Sequence, residues 1–405
     1  MSDHVEKILC ITDNFPDGQH ITEARIIYDI PLDKDRITPA AYRVKNRRIT
    51  GFACEGQTVT LKLDISDPAS YLVGGPDSDD PPKAHFPKPG DKDEDKGPPT
   101  DIPPAVRKPV QVEVMQKTPV TAADGSIIES FGYMLSTESV EPVVSDFIQC
   151  EYKGIPYNLY IPEGWEDREM PLVMFIHDAG PCGPDPLITL SQGSGAVCFA
   201  DPGWQSEHPC FVLAPQIDRT IRLTGPNSAC APELYTIKEM LDDVIERYHV
   251  DRKRVYTTGQ SMGCMASCEM NIRWPDLFAA SLLVAGQWSP ERMAESCTGC
   301  KFWILVSEND ARAFPGMNAV TAALEEKGVS IGHYWWDAKE GPEVLTEKAY
   351  EAMQDDVQMR YTVFYGSSVV PANCWPHPGS NHVSTWNRVY PIKGVREWLF
   401  SCVRD

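Results

Sequence analysis

A serine between two glycines, Gly259-Gln260-Ser261-Met262-Gly263, closes the apolar run "RVYTTG" and opens a stretch of helical character. A serine hydroxyl attacks a carbonyl only when it projects from the backbone and a base takes its proton. The G-x-S-x-G pattern on a strand-to-helix turn meets the first condition, because the sharp turn lifts the side chain out. Glycines on either side let strand and helix approach each other without Cβ crowding. The N-terminus of the following helix and the Met262 N–H then favour negative charge developing beside Ser261. The alternative is a small serine in an ordinary strand-to-helix loop.

The base needs an orienting carboxylate, and both must lie downstream if the chain order is serine, acid, histidine. "KFWILVSENDARAF" places Glu308 and Asp310 just past a buried strand, where parallel sheets build their sites. Asp310 is the preferred orienter and Glu308 the alternative. Three histidines follow Ser261. His333 lies inside the apolar-aromatic run "IGHYWW", as expected of a strand residue. His377 is locked between two prolines. His382, in "GSNHVSTWNRVY", is expected on a Gly/Ser/Asn loop before the last helix and is the preferred base.

An oxyanion also needs a second backbone donor, from the loop after an earlier strand. "LVMFIHDAGPCG" offers Asp178 or Ala179 for this, with His177 as a structural loop residue. A carboxylate at Asp178 would oppose the developing charge unless it points away. Gln260, Gln287, Trp288 and Trp375 are the candidates for lining the substrate site. The two tryptophans, read as rim residues, suit an alkyl or aromatic acyl group. Cys297 and Cys300 form an isolated C-x-x-C without a partner pair, which is weak for a metal or redox site. Cys264 and Cys268, four apart, read as small core residues. No metal and no organic cofactor is expected.

The elements that must position these residues fall into two grammars. Residues 1–135 read as β, with "HITEARIIYDI", "AAYRVKNRRITGF", "QTVTLKLDI" and "PVQVEVMQK" as strands of a small immunoglobulin-like sandwich. A segment at 74–104, dense in proline, glycine and acid, cannot bury a core and reads as an exposed or disordered loop. Its "DKDEDKG" lacks the glycine and glutamate register of a calcium loop. Residues 136–405 alternate strands and helices, as in a mostly parallel α/β sheet. "PLVMFIH" and "CFVLAP" are strands covered on both faces. "PELYTIKEMLDDVIERYHV" has apolar residues at helical spacing, among them Leu234, Ile237, Leu241, Val244 and Ile245. An insertion at 338–380 is a candidate lid or pocket wall.

The net charge of −21 argues against a nucleic-acid partner, which needs a basic face. It also disfavours strongly anionic substrates. No apolar run is long enough for a membrane span, and no signal peptide is visible at "MSDHVEKILCITDNF". The expectation is a cytoplasmic protein, or a secreted one if a leader has been removed. Thirteen irregularly spaced cysteines are then expected to be reduced and mostly buried.

"TLSQGSGAVCFADPGWQSEHPCFVLAPQ", "RVYTTGQSMGCMAS", "PDLFAASLLVAGQW" and "VREWLF" resemble a bacterial α/β-hydrolase family of predicted peptidases and esterases. That family is related to polyhydroxybutyrate depolymerase-like and feruloyl esterase-like enzymes, and some members carry an N-terminal immunoglobulin-like domain. The resemblance covers nearly all of residues 145–405. It implies an α/β-hydrolase fold with Ser261, Asp310 and His382 as the triad. Cys264, where a third glycine is common, and Asp178 depart from the pattern. The resulting expectation is a serine esterase acting on small or polymeric esters of short-chain or aromatic acids. A prolyl-oligopeptidase-like peptidase and a non-catalytic binding protein on the same scaffold are the rivals. The N-terminal domain is expected to shape access, aid folding, or form a homo-oligomer.

Overall fold

The computed structural model of the chain describes residues 4–74 and 104–404. The reading of 74–104 as a loop, and the cation-loop alternative within it, lie outside these residues except at the ends. Gly74 itself pairs with Val106 in a short two-stranded ladder.

Residues 148–364 build a nine-stranded sheet. In chain order its strands are β1 (Ile148–Tyr152), β2 (Ile155–Tyr160), β3 (Met170–Ile176), β4 (Phe211–Pro215) and β5 (Val250–Gln260). They continue as β6 (Ala280–Val284), β7 (Phe302–Ser307), β8 (Ile331–Trp336) and β9 (Met359–Phe364). The spatial order is β1-β2-β4-β3-β5-β6-β7-β9-β8. β2 runs antiparallel to both its neighbours, and every other pairing is parallel.

Parallel strands need crossovers, and the helices that supply them cover both faces. β3 makes this visible. Val173 and Phe175 pack into one core with Trp386, Val395 and Trp398. Leu172, Met174 and Ile176 pack into another with Leu234, Ile237, Leu241 and Val244. All seven residues of β3 are buried, so its sequence shows a continuous apolar run instead of alternation.

The helices used below are α1 (Glu233–Arg247), α2 (Met262–Arg273), α3 (Ala313–Glu326), α4 (Pro342–Met353), α5 (Pro378–Val389) and α6 (Lys393–Ser401). α1 is amphipathic as its spacing predicts, with all five named apolar positions buried. α2 is not. Its polar Ser267, Glu269 and Asn271 are as buried as its Met262 and Met270, because it runs through the centre of the layer. Two parts of the 338–380 insertion belong to the fold itself. α4 buries Leu345, Ala349 and Ala352 in the main core, and β9 completes the sheet between β7 and β8.

The N-terminal region forms a five-stranded and a three-stranded sheet that share one core. "AAYRVKNRRITGF" does not form one strand. Tyr42–Val44 joins the smaller sheet and Ile49–Glu55 the larger, with Asn46 at φ 56° turning the chain between them. The β region also extends past residue 135, since Glu138–Val140 pairs in parallel with Val5–Phe15. That edge strand is exposed throughout and has no apolar alternation to betray it. No described helix is long and apolar enough to cross a membrane.

Candidate active site

Ser261 sits between β5 and α2 at φ 52° and ψ −113°, a conformation an L-residue adopts only under constraint. The constraint is visible on both sides. The Ser261 N–H donates to the Val284 carbonyl of β6 at 3.0 Å, and the Ser261 carbonyl accepts from the Met265 N–H at 3.0 Å. A Cβ on Gly259 would fall 2.5 Å from the Gly263 carbonyl carbon, and one on Gly263 would fall 1.8 Å from the Ile176 carbonyl oxygen. Both glycines are therefore required for α2 to lie so close to β3 and β5.

His382 Nε2 lies 2.8 Å from Ser261 Oγ, and His382 Nδ1 lies 2.5 Å from Asp310 Oδ2. The structure thus brings together the serine, acid and histidine read from the sequence. Asp310 follows β7 and is 3% exposed; its other oxygen accepts N–H bonds from Arg312 and Ala313, both at 3.0 Å. Burial opposes its ionisation, but the facing imidazole and these two N–H groups hold its pKa below the usual carboxylate value. Burial likewise opposes protonation of His382. The Asp310 carboxylate, with a smaller contribution from Asp178, outweighs it and raises the imidazole pKa.

His382 is not on a loop. It lies in the first turns of α5, where His377 caps the helix through a reciprocal pair of bonds with Ser380 and Pro378 starts it. The Gly/Ser/Asn composition that reads as a loop is the composition of a helix N-terminus. Asn381 ties this turn to β7 by accepting from Ser307 Oγ at 3.1 Å. His377 is therefore a cap, and His333 pairs with Glu325 on the far edge of the sheet. Glu308 accepts the Gly366 N–H at 2.7 Å and closes the loop after β9.

The loop after β3 is held from three directions. His177 Nδ1 lies 2.6 Å from the Asp178 carbonyl, and its Nε2 accepts the Ile217 N–H at 2.9 Å. This fixes a neutral imidazole protonated at Nδ1, consistent with burial pushing its pKa down. Arg219 donates to the carbonyls of Ala179 at 2.9 Å and Gly180 at 2.7 Å. Because the peptide is trans, turning the Asp178 carbonyl toward His177 turns the Ala179 N–H the opposite way. The His177 carbonyl oxygen lies close to Gly263, where a Cβ would come 3.0 Å from it. The Asp178 carboxylate accepts from the Gly180 N–H at 3.0 Å and from Gln260 Nε2 at 2.9 Å.

Two expected pocket residues are placed elsewhere. Trp288 is 5% exposed, and its indole N–H donates at 3.0 Å to Glu269, a fully buried carboxylate that also pairs with Arg273 and Arg292. Gln260 is 1% exposed and turned toward Asp178 and Gln192. Gln287 is half-buried against Gly316 of α3, and Trp375, on the segment leading into α5, is 83% exposed. Sequence reasoning missed Gln192 and Arg219, which act on the site through hydrogen bonds formed only after folding. The cysteines are free thiols, with Cys264, Cys268, Cys297 and Cys300 all buried. Cys264 fills space beside Gly286, where a Cβ would come 2.5 Å from its Sγ.

No family model matches the chain. A crystal structure described as a thermostable esterase matches 99% of this chain and 100% of its own, with a TM-score of 0.77 and 23% identity. The chain has the α/β-hydrolase fold. The likeness extends over the N-terminal sandwich as well as the hydrolase sheet. Poly(3-hydroxyalkanoate) depolymerase C of Paucimonas lemoignei is 30% identical over 146 residues, 31% of this chain and 34% of that protein. Acetylxylan esterase A of Aspergillus ficuum is 28% identical over 138 residues, 33% of this chain and 43% of that protein. The chain thus spans less than half the length of each of these curated relatives. Within the hydrolase fold, the elbow after β5, the acid after β7 and the histidine ahead of the last helix occupy the sheet's C-terminal rim, where such folds collect their chemistry.

Proposed function

We propose that this α/β-hydrolase cleaves carboxylic esters through an acyl-enzyme intermediate. The observation that carries the proposal is the continuous chain from Ser261 Oγ through His382 to Asp310, at 2.8 and 2.5 Å, on a strained turn. Ser261 attacks the acyl carbon while His382 accepts its proton. Asp310 holds the ring and stabilises the imidazolium. His382 then protonates the departing alcohol, and water repeats the sequence to release the acid. The Met262 N–H and a second from the loop after β3, Ala179 or Asp178, take the oxyanion.

Trp288 is buried against Glu269, whereas Trp375 stays exposed on the segment leading into α5, so the reading keeps esters of short-chain or aromatic acids, free or on a polymer. The relatives named for depolymerising a polyester and deacetylating xylan support this substrate class. The test is hydrolysis of p-nitrophenyl esters from acetate to decanoate, beside Ser261→Ala, His382→Ala and a p-nitroanilide. Turnover that declines with acyl length and is lost in both variants is expected. Absence of turnover and of fluorophosphonate labelling in the unaltered protein would refute the proposal.

A further inference from the structure

Asp178 places a carboxylate in the loop that supplies the second oxyanion donor. Its charge favours the imidazolium of His382 and opposes the oxyanion, so its position decides whether it helps or harms. That position is set by Gln260, the residue before the nucleophile. Gln260 Nε2 donates to Asp178 Oδ1 at 2.9 Å and to Gln192 Oε1 at 3.2 Å, from a side chain 1% exposed.

The chain at Gln192 is anchored from outside the hydrolase sheet through its neighbour. Its neighbour Ser191 is fully buried; Ser191 Oγ donates to Gln19 Oε1 at 2.7 Å and accepts from Arg107 Nε at 2.8 Å. Gln19 belongs to the larger sheet of the N-terminal sandwich, and Arg107 to the short ladder beside it. Both bond the Glu141 carboxylate. Gly18 approaches so closely that a Cβ there would lie 2.9 Å from the Ser191 carbonyl oxygen. The contact between sandwich and hydrolase sheet is thus one residue from the Gln192 side chain.

We propose that Gln260 is a positioning residue that holds the Asp178 carboxylate off the oxyanion, and that the N-terminal sandwich completes the hold through Gln19 and Arg107 on Ser191. The inference rests on the esterase reading above. Letting a carboxylate move from about 8 Å to about 5 Å from an oxyanion costs roughly tenfold in rate at an effective dielectric constant of about 20. The loss belongs to the transition state, where the oxyanion exists, and not to substrate binding.

The experiment compares kcat and KM for p-nitrophenyl acetate in Gln260→Leu, Asp178→Asn and the double variant, with thermal midpoints recorded. Gln260→Leu is expected to lower kcat by roughly 10-fold with KM within about twofold. The double variant is expected to return to within about fivefold of Asp178→Asn, because no charge then remains to be held. A merely structural role for Gln260 gives no such recovery. If Gln260→Leu does not fold, Ser191→Ala replaces it, with a loss of about 3- to 10-fold that Asp178→Asn again relieves. The inference is overturned if Gln260→Leu keeps more than about a third of kcat, or if Asp178→Asn relieves neither loss. An unaltered protein with no turnover and no fluorophosphonate label overturns the esterase reading itself and is distinguishable from both.

Discussion

Replacing Asp310 with asparagine keeps the shape of the site and removes its buried negative charge. The carboxylate and imidazole touch at 2.5 Å, with Asp310 3% and His382 8% exposed, so solvent screens the pair little. With charge centres about 4 Å apart and an effective dielectric constant of about 20, the lost attraction for the imidazolium is about 4 kcal/mol. At about 1.4 kcal/mol per decade that is roughly a thousandfold in kcat/KM, and an asparagine amide that donates to Nδ1 would add to it by favouring the wrong tautomer. The pH profile gives an independent sign. Asp310 is the main influence that raises the His382 pKa against burial, with Asp178 a smaller one, so in Asp310→Asn burial prevails and the acid limb of kcat/KM moves to lower pH. Stability follows by linkage. In the unaltered protein the raised His382 pKa contributes stability that is full below the unfolded value of about 6.5 and is lost as pH rises through the folded value. In the variant the pKa is depressed, so stability is instead lost as pH falls below about 6.5. Glu308→Gln is the control and should keep kcat/KM within about threefold, because Glu308 closes a loop. The assignment is refuted if Asp310→Asn loses less than about tenfold, if its acid limb does not move, or if Glu308→Gln carries the loss.

Ser261→Gly should abolish turnover yet raise the unfolding free energy by about 1 kcal/mol, measured by denaturant titration, because glycine relieves the strain at φ 52°. Gly286→Ala should fail to give soluble protein, and Cys264→Gly in the same chain should restore it, since the added Cβ meets Cys264 Sγ at 2.5 Å but the Ser261 carbonyl only at 3.3 Å. Glu269→Ala should cost about 3 kcal/mol in denaturant unfolding by stripping Arg273, Arg292 and the Trp288 indole of a fully buried partner. Trp288→Phe should leave KM for p-nitrophenyl acetate unchanged, which checks that this side chain lies outside the substrate site.

The three side chains of the proposed triad are legible because each sits where local sequence reports on tertiary position. Glycines flank Ser261 because the backbones meet there, and Asp310 follows a run apolar enough to be a central strand. His382 was found for a partly mistaken reason, since the polar small residues around it cap a helix. Trp288 and Gln260 were misplaced because a residue's position at a strand end does not say which way its side chain turns. Trp288 turns inward to meet Glu269, nineteen positions earlier in the chain. Within the insertion after β8, only the register with β7 and β8 shows that Met359–Phe364 is a strand of the main sheet. Edge strand Glu138–Val140 carries no apolar pattern at all, so the limit of the sandwich could not be read from the sequence.

Asp178 shows how a departure from a familiar motif can be consistent with the motif's chemistry. Glycine at that position would expose two N–H groups without constraint, whereas here the conformation of the loop is fixed by its own side chains. His177 fixes one carbonyl, Arg219 two more, and the Asp178 carboxylate takes the Gly180 N–H. The charge so introduced is near enough to favour protonation of His382. It is tied by Gln260 on the side away from Gly180, so both carboxylate oxygens are occupied by donors before any substrate arrives. A preorganised donor set stabilises developing charge without reorganising during the reaction. An aspartate with both oxygens satisfied meets that requirement, and the same aspartate without Gln260 does not.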